Sequence, residues 1–284
     1  MPLAKVNEIL RHATENRYGV AAINVFNYET IKWAAEAANR ERIPLIIQFY
    51  PGFSSYIELR HVAAIARGFA EQSDVPIAVH LDHSASYEIA ISGLRDGFPS
   101  VMVDGSALPY EENTVMTAAV VRTASVFGVD VEAELGHVGS GAKLDDIVNS
   151  DNYTNVEQAV DFVQRTGCGS LAVAVGNAHG VYIQTPNLDF DRIRALRKAL
   201  PIPLVLHGCS DIPHEQLQES VRLGMSKFNI ATEYFRACYQ GIAAAIDPEA
   251  KNGQMIDLMK KAEENAVDFV RKKMRLLNPN GFSL

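Results

Sequence analysis

The chain has 284 residues, 48% of them hydrophobic, a formal net charge of −8 and a pI near 5.5. That length and apolar content suffice for a large core, either one barrel-sized domain or two ordinary ones, and an acidic balance with no basic patch argues against nucleic acid as a partner. Three scattered cysteines, Cys168, Cys209 and Cys238, are too few for a disulfide framework and point to a reducing, cytoplasmic setting, and no apolar run approaches a membrane span.

In chain order, "MPLAKVNEILRHATENRYG" reads as an amphipathic helix without an apolar signal core. Eight short β-rich runs follow: "GVAAINVF" (19–26), "PLIIQFY" (44–50), "PIAVHLD" (76–82), "SVMVDG" (100–105), "VDVEAELG" (129–136), "SLAVAVG" (170–176), "PLVLHG" (203–208) and "KFNIAT" (227–232). Helical patterns such as "ETIKWAAEAANRER" and "NVEQAVDFVQRTG" separate most of them. Strand, helix, strand at these intervals means parallel βαβ units, and nearly continuous apolar runs mean a sheet covered on both faces. Eight units in a chain of this length predict an α/β protein, a (β/α)8 TIM barrel as a single domain over 1–284, with a doubly wound open sheet as the alternative. The tail "GQMIDLMKKAEENAVDFVRKKMRLL" supplies one or two extra closing helices.

Polar residues gather where the runs end, which in such a barrel is the working face. Asn24 and Gln48 end the first two runs, Asp82 and His83 the third and Asp104 the fourth; Glu132 and Glu134 lie on the fifth. His179 follows the sixth in "GNAHG", His207 ends the seventh, and Asn229 and Thr232 lie on the eighth. Three imidazoles at one rim, His83, His179 and His207, have the composition of a catalytic zinc site; each taken alone is equally a hydrogen-bonding histidine at a strand end. His12, His61, His137 and His214 read as surface residues, and His80, sharing the face of Asp82, as a packing partner or a support behind the ligands and not a ligand itself. Asp82 is either a general acid or base or an orienting group for its neighbour. Asp104 and Glu134 either contact a cation or join a buried polar network. The Gly-containing turns "HGCSD" and "NIAT" offer backbone N–H groups to an anion without a cationic side chain. No lysine stands in the sixth run for a Schiff base.

The segments "INVFN", "VHLDH", "VMVDGS", "VEAELGHVG", "LAVAVGNAHG", "LVLHGCSDIP" and "KFNIAT" together resemble the class II, metal-dependent ketose-bisphosphate aldolases of the fructose- and tagatose-bisphosphate type, nearly end to end. The resemblance implies reversible aldol cleavage of a phosphorylated ketose to dihydroxyacetone phosphate and an aldehyde, with Zn2+ held by His83, His179 and His207. It also implies Asp82 as the proton donor on the aldehyde side and Asn229 beside the reacting enediolate. Gly180, Gly208, Ser210 and the segment Asn229, Ile230, Ala231 and Thr232 would hold the dihydroxyacetone phosphate, with Cys209 in the same turn and Asn24 from the first run completing the expected substrate contacts. Asp104 and Glu134 match positions linked to a second divalent or a monovalent cation. A homodimer or homotetramer is the implied assembly.

Three segments depart from the family pattern: Gly208-Cys209-Ser210 in place of Gly-Gly-Ser, Tyr50-Pro51-Gly52-Phe53 in place of a small hydroxyl-bearing turn, and "GHVGSGAKLDDIVNSDNYTN" in place of a Gly-Gly loop with an acidic base. Asp145 and Asp146 either serve as that base or, the favoured reading, are solvated charges of the long loop, which has the length of a lid. Altered sugar specificity, a zinc-dependent isomerase or epimerase, and a non-catalytic sugar-phosphate-binding barrel remain the alternative functions.

Overall fold

In the computed structural model, which describes residues 3–246 and 253–284, eight parallel strands close on one another in chain order. They are β1 (Val20–Asn24), β2 (Leu45–Phe49), β3 (Ile77–Ser84), β4 (Ser100–Val103), β5 (Asp130–Leu135), β6 (Ser170–Val173), β7 (Leu204–Leu206) and β8 (Met225–Ile230). The helices are α1 (Val6–Asn16), α2 (Tyr28–Glu41), α3 (Leu59–Gln72), α4 (Tyr87–Arg95), α5 (Tyr110–Val126), α6 (Leu144–Val148), α7 (Val156–Thr166), α8 (Phe190–Ala199), α9 (His214–Arg222), α10 (Thr232–Ala245) and α11 (Met255–Leu276). β1 pairs with β8, so the sheet is a closed (β/α)8 barrel and the open-sheet alternative falls.

Strand alternation sorts the residues into two faces. On β3, Ile77, Val79 and Leu81 pack outward into the core shared with the helices. Ala78 packs inward with Val20, Ala22 and Ile46, and α1 closes this end of the barrel with Val6, Ile9, Leu10 and Ala13. Met102, Ala172 and Val205 form a second inward cluster. Towards the strand ends the interior becomes polar: Asn24, Gln48, His80, Asp82, Glu132, Glu134, His207, Lys227 and Asn229 are all buried. The apolar layers carry the folding energy, and the polar layer forms the floor of the site.

The ladders end earlier than the β-rich runs. β7 stops at Leu206, one residue before His207, and Asp104 lies just past β4. Thr232 opens α10 and is not part of β8. Having left the hydrogen-bonded sheet, Asp104 and Thr232 face the cavity, and the buried His207 turns its ring to His83.

Candidate active site

A cavity of about 480 Å3 opens at the strand ends, lined by Asn24, Asp82, His83, Asp104, His179 and Asn229 among others, with Tyr50 and Phe53 on its rim. Adjacent strand residues normally face opposite ways, yet Asp82 and His83 both line it. The β3–β4 register shifts between Leu81 and Ser84, and His83 takes a left-handed backbone with φ 45°. A β-bulge with a strained non-glycine residue re-aims one side chain, and the strain is maintained by the surrounding pairs.

Each of the three imidazoles is held from behind by an acceptor. His83 Nδ1 lies 2.8 Å from Asp104, His179 Nδ1 lies 3.1 Å from the Val138 carbonyl, and His207 Nε2 lies 2.9 Å from Glu132. The opposite nitrogens converge: His83 Nε2 lies 3.0 Å from His207 Nδ1, and His179 Nε2 is buried with no hydrogen-bond partner. One ligand atom from each ring lies within 4.8 Å of the others. A second group on the same criterion is His83, Asp104 and Glu134. Burial, then the charge at His83, lowers His179 to about 4. Burial likewise holds His207 well below the usual histidine range, so both rings are neutral. At His83 burial works the same way, but Asp82, Asp104 and Glu134 outweigh it and raise its pKa to about 10.

Asp82 is the centre of an amide cage. It accepts hydrogen bonds from Asn24 at 2.9 Å, Gln48 at 3.3 Å and Asn229 at 3.2 Å. Burial favours its neutral form, but His83, Lys227, His207 and the Asn24 bond prevail and hold it below the ordinary aspartate range. Glu134 goes the other way: burial, then Asp104, raises it well above the usual range. Beneath the cavity Glu132 bonds Lys227 at 2.8 Å, with both side chains fully buried. His80 bonds Ser100 at 2.8 Å and stays a packing partner.

Of the expected phosphate contacts, Gly180, Gly208, Ser210, Asn229, Ala231 and Thr232 line the cavity. Cys209 and Ile230 do not: the Cys209 thiol donates to the Leu206 carbonyl, its N–H donates to the Asn229 carbonyl, and Ile230 packs in the main core. Alternation explains both, because neighbours of inward residues point outward. In the loop after β5, Asp145 is solvated as expected, but Asp146 is not. Its carboxylate accepts from the Ser140 N–H at 2.7 Å and has 13% side-chain exposure, so it braces the loop. The loop itself is laid against the segment after β6 through the Ser140–His179 bridge. His12, His61, His137 and His214 are exposed.

Two residues important to the site were not picked out from the sequence. Lys227 was read as the first residue of the eighth run; its spacing of two from Asn229 is the signal that it faces inward. The Tyr182 hydroxyl donates to the Gly208 carbonyl at 2.9 Å and accepts from the Ala178 N–H at 2.7 Å, tying two rim turns together. Nothing in the local sequence signals that role.

A closed (β/α)8 barrel with three converging imidazoles beside a caged carboxylate defines a class of metal-compatible barrel sites. The family model described as "Fructose-bisphosphate aldolase class-II" matches residues 4–282. The chain is 34% identical over 279 residues to YdjI of Escherichia coli K12, covering 98% of this chain and 99% of the relative. The crystal structure of the YdjI aldolase superposes with a TM-score of 0.88 at 32% identity, covering 99% and 100% of the two chains. The fructose-bisphosphate aldolase of Campylobacter jejuni gives a TM-score of 0.83 at 24% identity, with 98% and 96% covered, and supports the fold. The chain belongs to the class II fructose-bisphosphate aldolase family and is an aldolase, a carbon–carbon lyase. Among the described residues no helix is long and apolar enough to cross a membrane.

Proposed function

We propose that this aldolase cleaves a phosphorylated ketose reversibly to dihydroxyacetone phosphate and an aldehyde, using a divalent cation, zinc, at His83, His179 and His207. The observation that carries the reading is the buried, unpartnered Nε2 of His179 converging with nitrogens of His83 and His207 beside Asp82. Imidazoles whose second nitrogen is held by a carboxylate or carbonyl are the donor set expected for zinc; His179 and His207 are already neutral and His83 would release its proton to a bound cation, so the residues present fit the ion. Bound there, the ion would act as a Lewis acid towards the negative charge that develops when the carbon–carbon bond breaks.

The remaining work falls to the protein. Asp82, kept ionised by its neighbours, accepts the proton of the hydroxyl on the aldehyde-side carbon during cleavage and returns it during condensation. Asn24 and Gln48 hold that carboxylate at its working position, and the Asn229 amide donates to Asp82 while lining the cavity that would hold the dihydroxyacetone fragment. The phosphate is received by backbone N–H groups of the turns at Gly180, Gly208 and Ser210 and by the start of α10, whose N-cap Ala231 provides no side-chain acceptor of its own. Lys227 is buried against Glu132 and does not line the cavity, so it presents no Schiff-base nucleophile there. Asp104 and Glu134 lie close enough to His83 to bind a second cation. A cytoplasmic homo-oligomer completes the proposal.

The test is a panel of phosphorylated ketoses assayed for triose phosphate release by protein of measured metal content. Two carbon fragments mark an aldolase reaction on the true substrate. A single rearranged product would mark an isomerase, and binding without turnover would mark a sensor.

A further inference from the structure

We infer that the aldehyde half of the cavity takes an unphosphorylated sugar chain, so that the ketose cleaved carries one phosphate, on its dihydroxyacetone side. This rests on the aldolase reading above and narrows it to ketose monophosphates.

The two halves of the rim differ in what they offer an anion. On the β6–β8 side, Gly180 and Gly208 bring backbone close to the ligand; at the start of α10 the Ser210 hydroxyl accepts from the Glu233 N–H at 3.3 Å, but Ala231 offers no side-chain cap and the N–H of Thr232, which lines the cavity, stays open. An open N–H at the start of a 14-residue helix, beside glycine turns, binds phosphate without a cation. On the β1–β3 side the corresponding groups of α2 and α4 are already used. At the start of α2 the Asn27 side chain accepts from the Thr30 N–H at 3.0 Å, while the Thr30 hydroxyl accepts from the N–H groups of Phe26 and Asn27. At the start of α4 the Ser86 hydroxyl accepts from the Ile89 N–H. The start of α3 has no side-chain cap, but its N-cap residue Glu58 is a carboxylate that repels an anion, and Arg60 of the first turn is paired with it at 2.6 Å.

Side chains do not make up the deficit. Apart from Asp82 and the candidate ligand His83, the lining of this half is Asn24, Tyr50, Phe53 and Ala85, and no arginine or lysine lines the cavity among the described residues. Tyr50 stands edge-on to Phe53, with ring centroids 5.4 Å apart, and edge-on to His83 at 6.3 Å. Two aromatic faces suit the C–H surface of a sugar chain. A second phosphate here would lose its hydration, gain no counter-charge, and lie in the same cavity as the carboxylates of Asp82 and Asp104.

The experiment runs the reaction as condensation with the metal-loaded, full-length protein. Dihydroxyacetone phosphate is offered either unphosphorylated aldehydes of two to five carbons or glyceraldehyde 3-phosphate. One carbon–carbon bond forms, the donor carbon loses a proton and the aldehyde oxygen gains one. We expect kcat/KM at least ten times higher for the best unphosphorylated aldehyde. Equal or better use of glyceraldehyde 3-phosphate, or no use of any unphosphorylated aldehyde, overturns the inference. Ala85→Arg places a cation on this half at an exposed position and should raise the relative use of glyceraldehyde 3-phosphate at least five-fold. A ratio unchanged by that cation counts against the charge argument. The underlying aldolase reading is tested separately by exchange of the carbon-bound proton of dihydroxyacetone phosphate with deuterated water. If exchange is absent, that reading fails; if exchange is present and the aldehyde preference is reversed, only the monophosphate inference fails.

Discussion

The β6–β8 half of the rim and the β1–β3 half solve recognition by different means. The first is largely backbone: Gly208 has φ 62° and Gly180 has φ 86°, and the Tyr182 hydroxyl locks the turn at Gly208 to the segment after β6. The second is largely side chain: an amide cage around Asp82 and an aromatic wall at Tyr50 and Phe53. Backbone geometry belongs to the fold and changes little with single substitutions, so it suits the part of the substrate that stays constant. Side chains exchange freely, so specificity resides on the other half. The imidazoles lie where the halves meet, His83 from one and His179 and His207 from the other.

The largest effect is expected at that junction. His179→Ala removes a ring whose ordering contact is the Val138 carbonyl, so the barrel should stay folded while metal is lost. Cleavage should fall roughly 1000-fold or more, the scale of several kcal/mol of charge stabilisation. Metal content per chain is the measurement, and full occupancy in the variant would remove His179 from the site. A chelator should silence the wild type in the same way, with activity restored by added zinc.

Asp82→Asn separates proton transfer from metal binding. It preserves size and should retain metal, yet slow cleavage by roughly 100-fold or more, the range of general acid–base catalysis. Near-wild-type turnover would reduce Asp82 to an orienting group for its cage.

Gly208→Ala tests whether the backbone half depends on geometry alone. A Cβ at this position would lie far inside contact with the Ala178 carbonyl oxygen, in a left-handed conformation. The variant should lose about 1–3 kcal/mol of stability, a strained-backbone cost. It should raise KM for dihydroxyacetone phosphate more than it lowers kcat. Denaturant midpoints and condensation kinetics measure the two effects, and an unchanged KM would detach this turn from the phosphate.

The smallest effect is expected on the side-chain half. Tyr50→Ser opens the rim at a position 42% exposed, so stability should hardly change. Relative kcat/KM among ketose mono- and bisphosphates should shift by about 1–3 kcal/mol, as for a reshaped pocket, with wild type poor on fructose 1,6-bisphosphate. An unchanged ranking, together with ordinary wild-type turnover of fructose 1,6-bisphosphate, would show that the aromatic wall does not select.

Much of the site can be read from local pattern. Glu132 and Glu134 alternate by two on an apolar strand, which places both inside the barrel before any coordinates are known. The same alternation, applied to Cys209 and Ile230, would have turned them out of the cavity; the family motif includes them, but their side chains serve the thiol bond to Leu206 and the core. Asp146 looks like a loop charge because its neighbours are polar, and only the folding back of residues 139–146 brings its carboxylate to the Ser140 N–H.

The amino-acid sequence alone determined the barrel, because eight apolar runs alternating with amphipathic helices have few other ways to bury both sheet faces. It also determined which residue types gather at the strand ends. Tertiary structure decided their aim. The left-handed bulge at His83 turns two adjacent side chains into one cavity, and Lys227 reaches Glu132 across 95 residues to hold the carboxylate behind His207. The helix starts at the rim were likewise sorted only in three dimensions: those of α2 and α4 are closed by their own N-cap side chains, and that of α10 is capped only at Glu233, by Ser210 from another turn. Hydrogen bonding and charge depend on separations of a few ångströms between distant parts of the chain, and residue type and spacing do not carry that information.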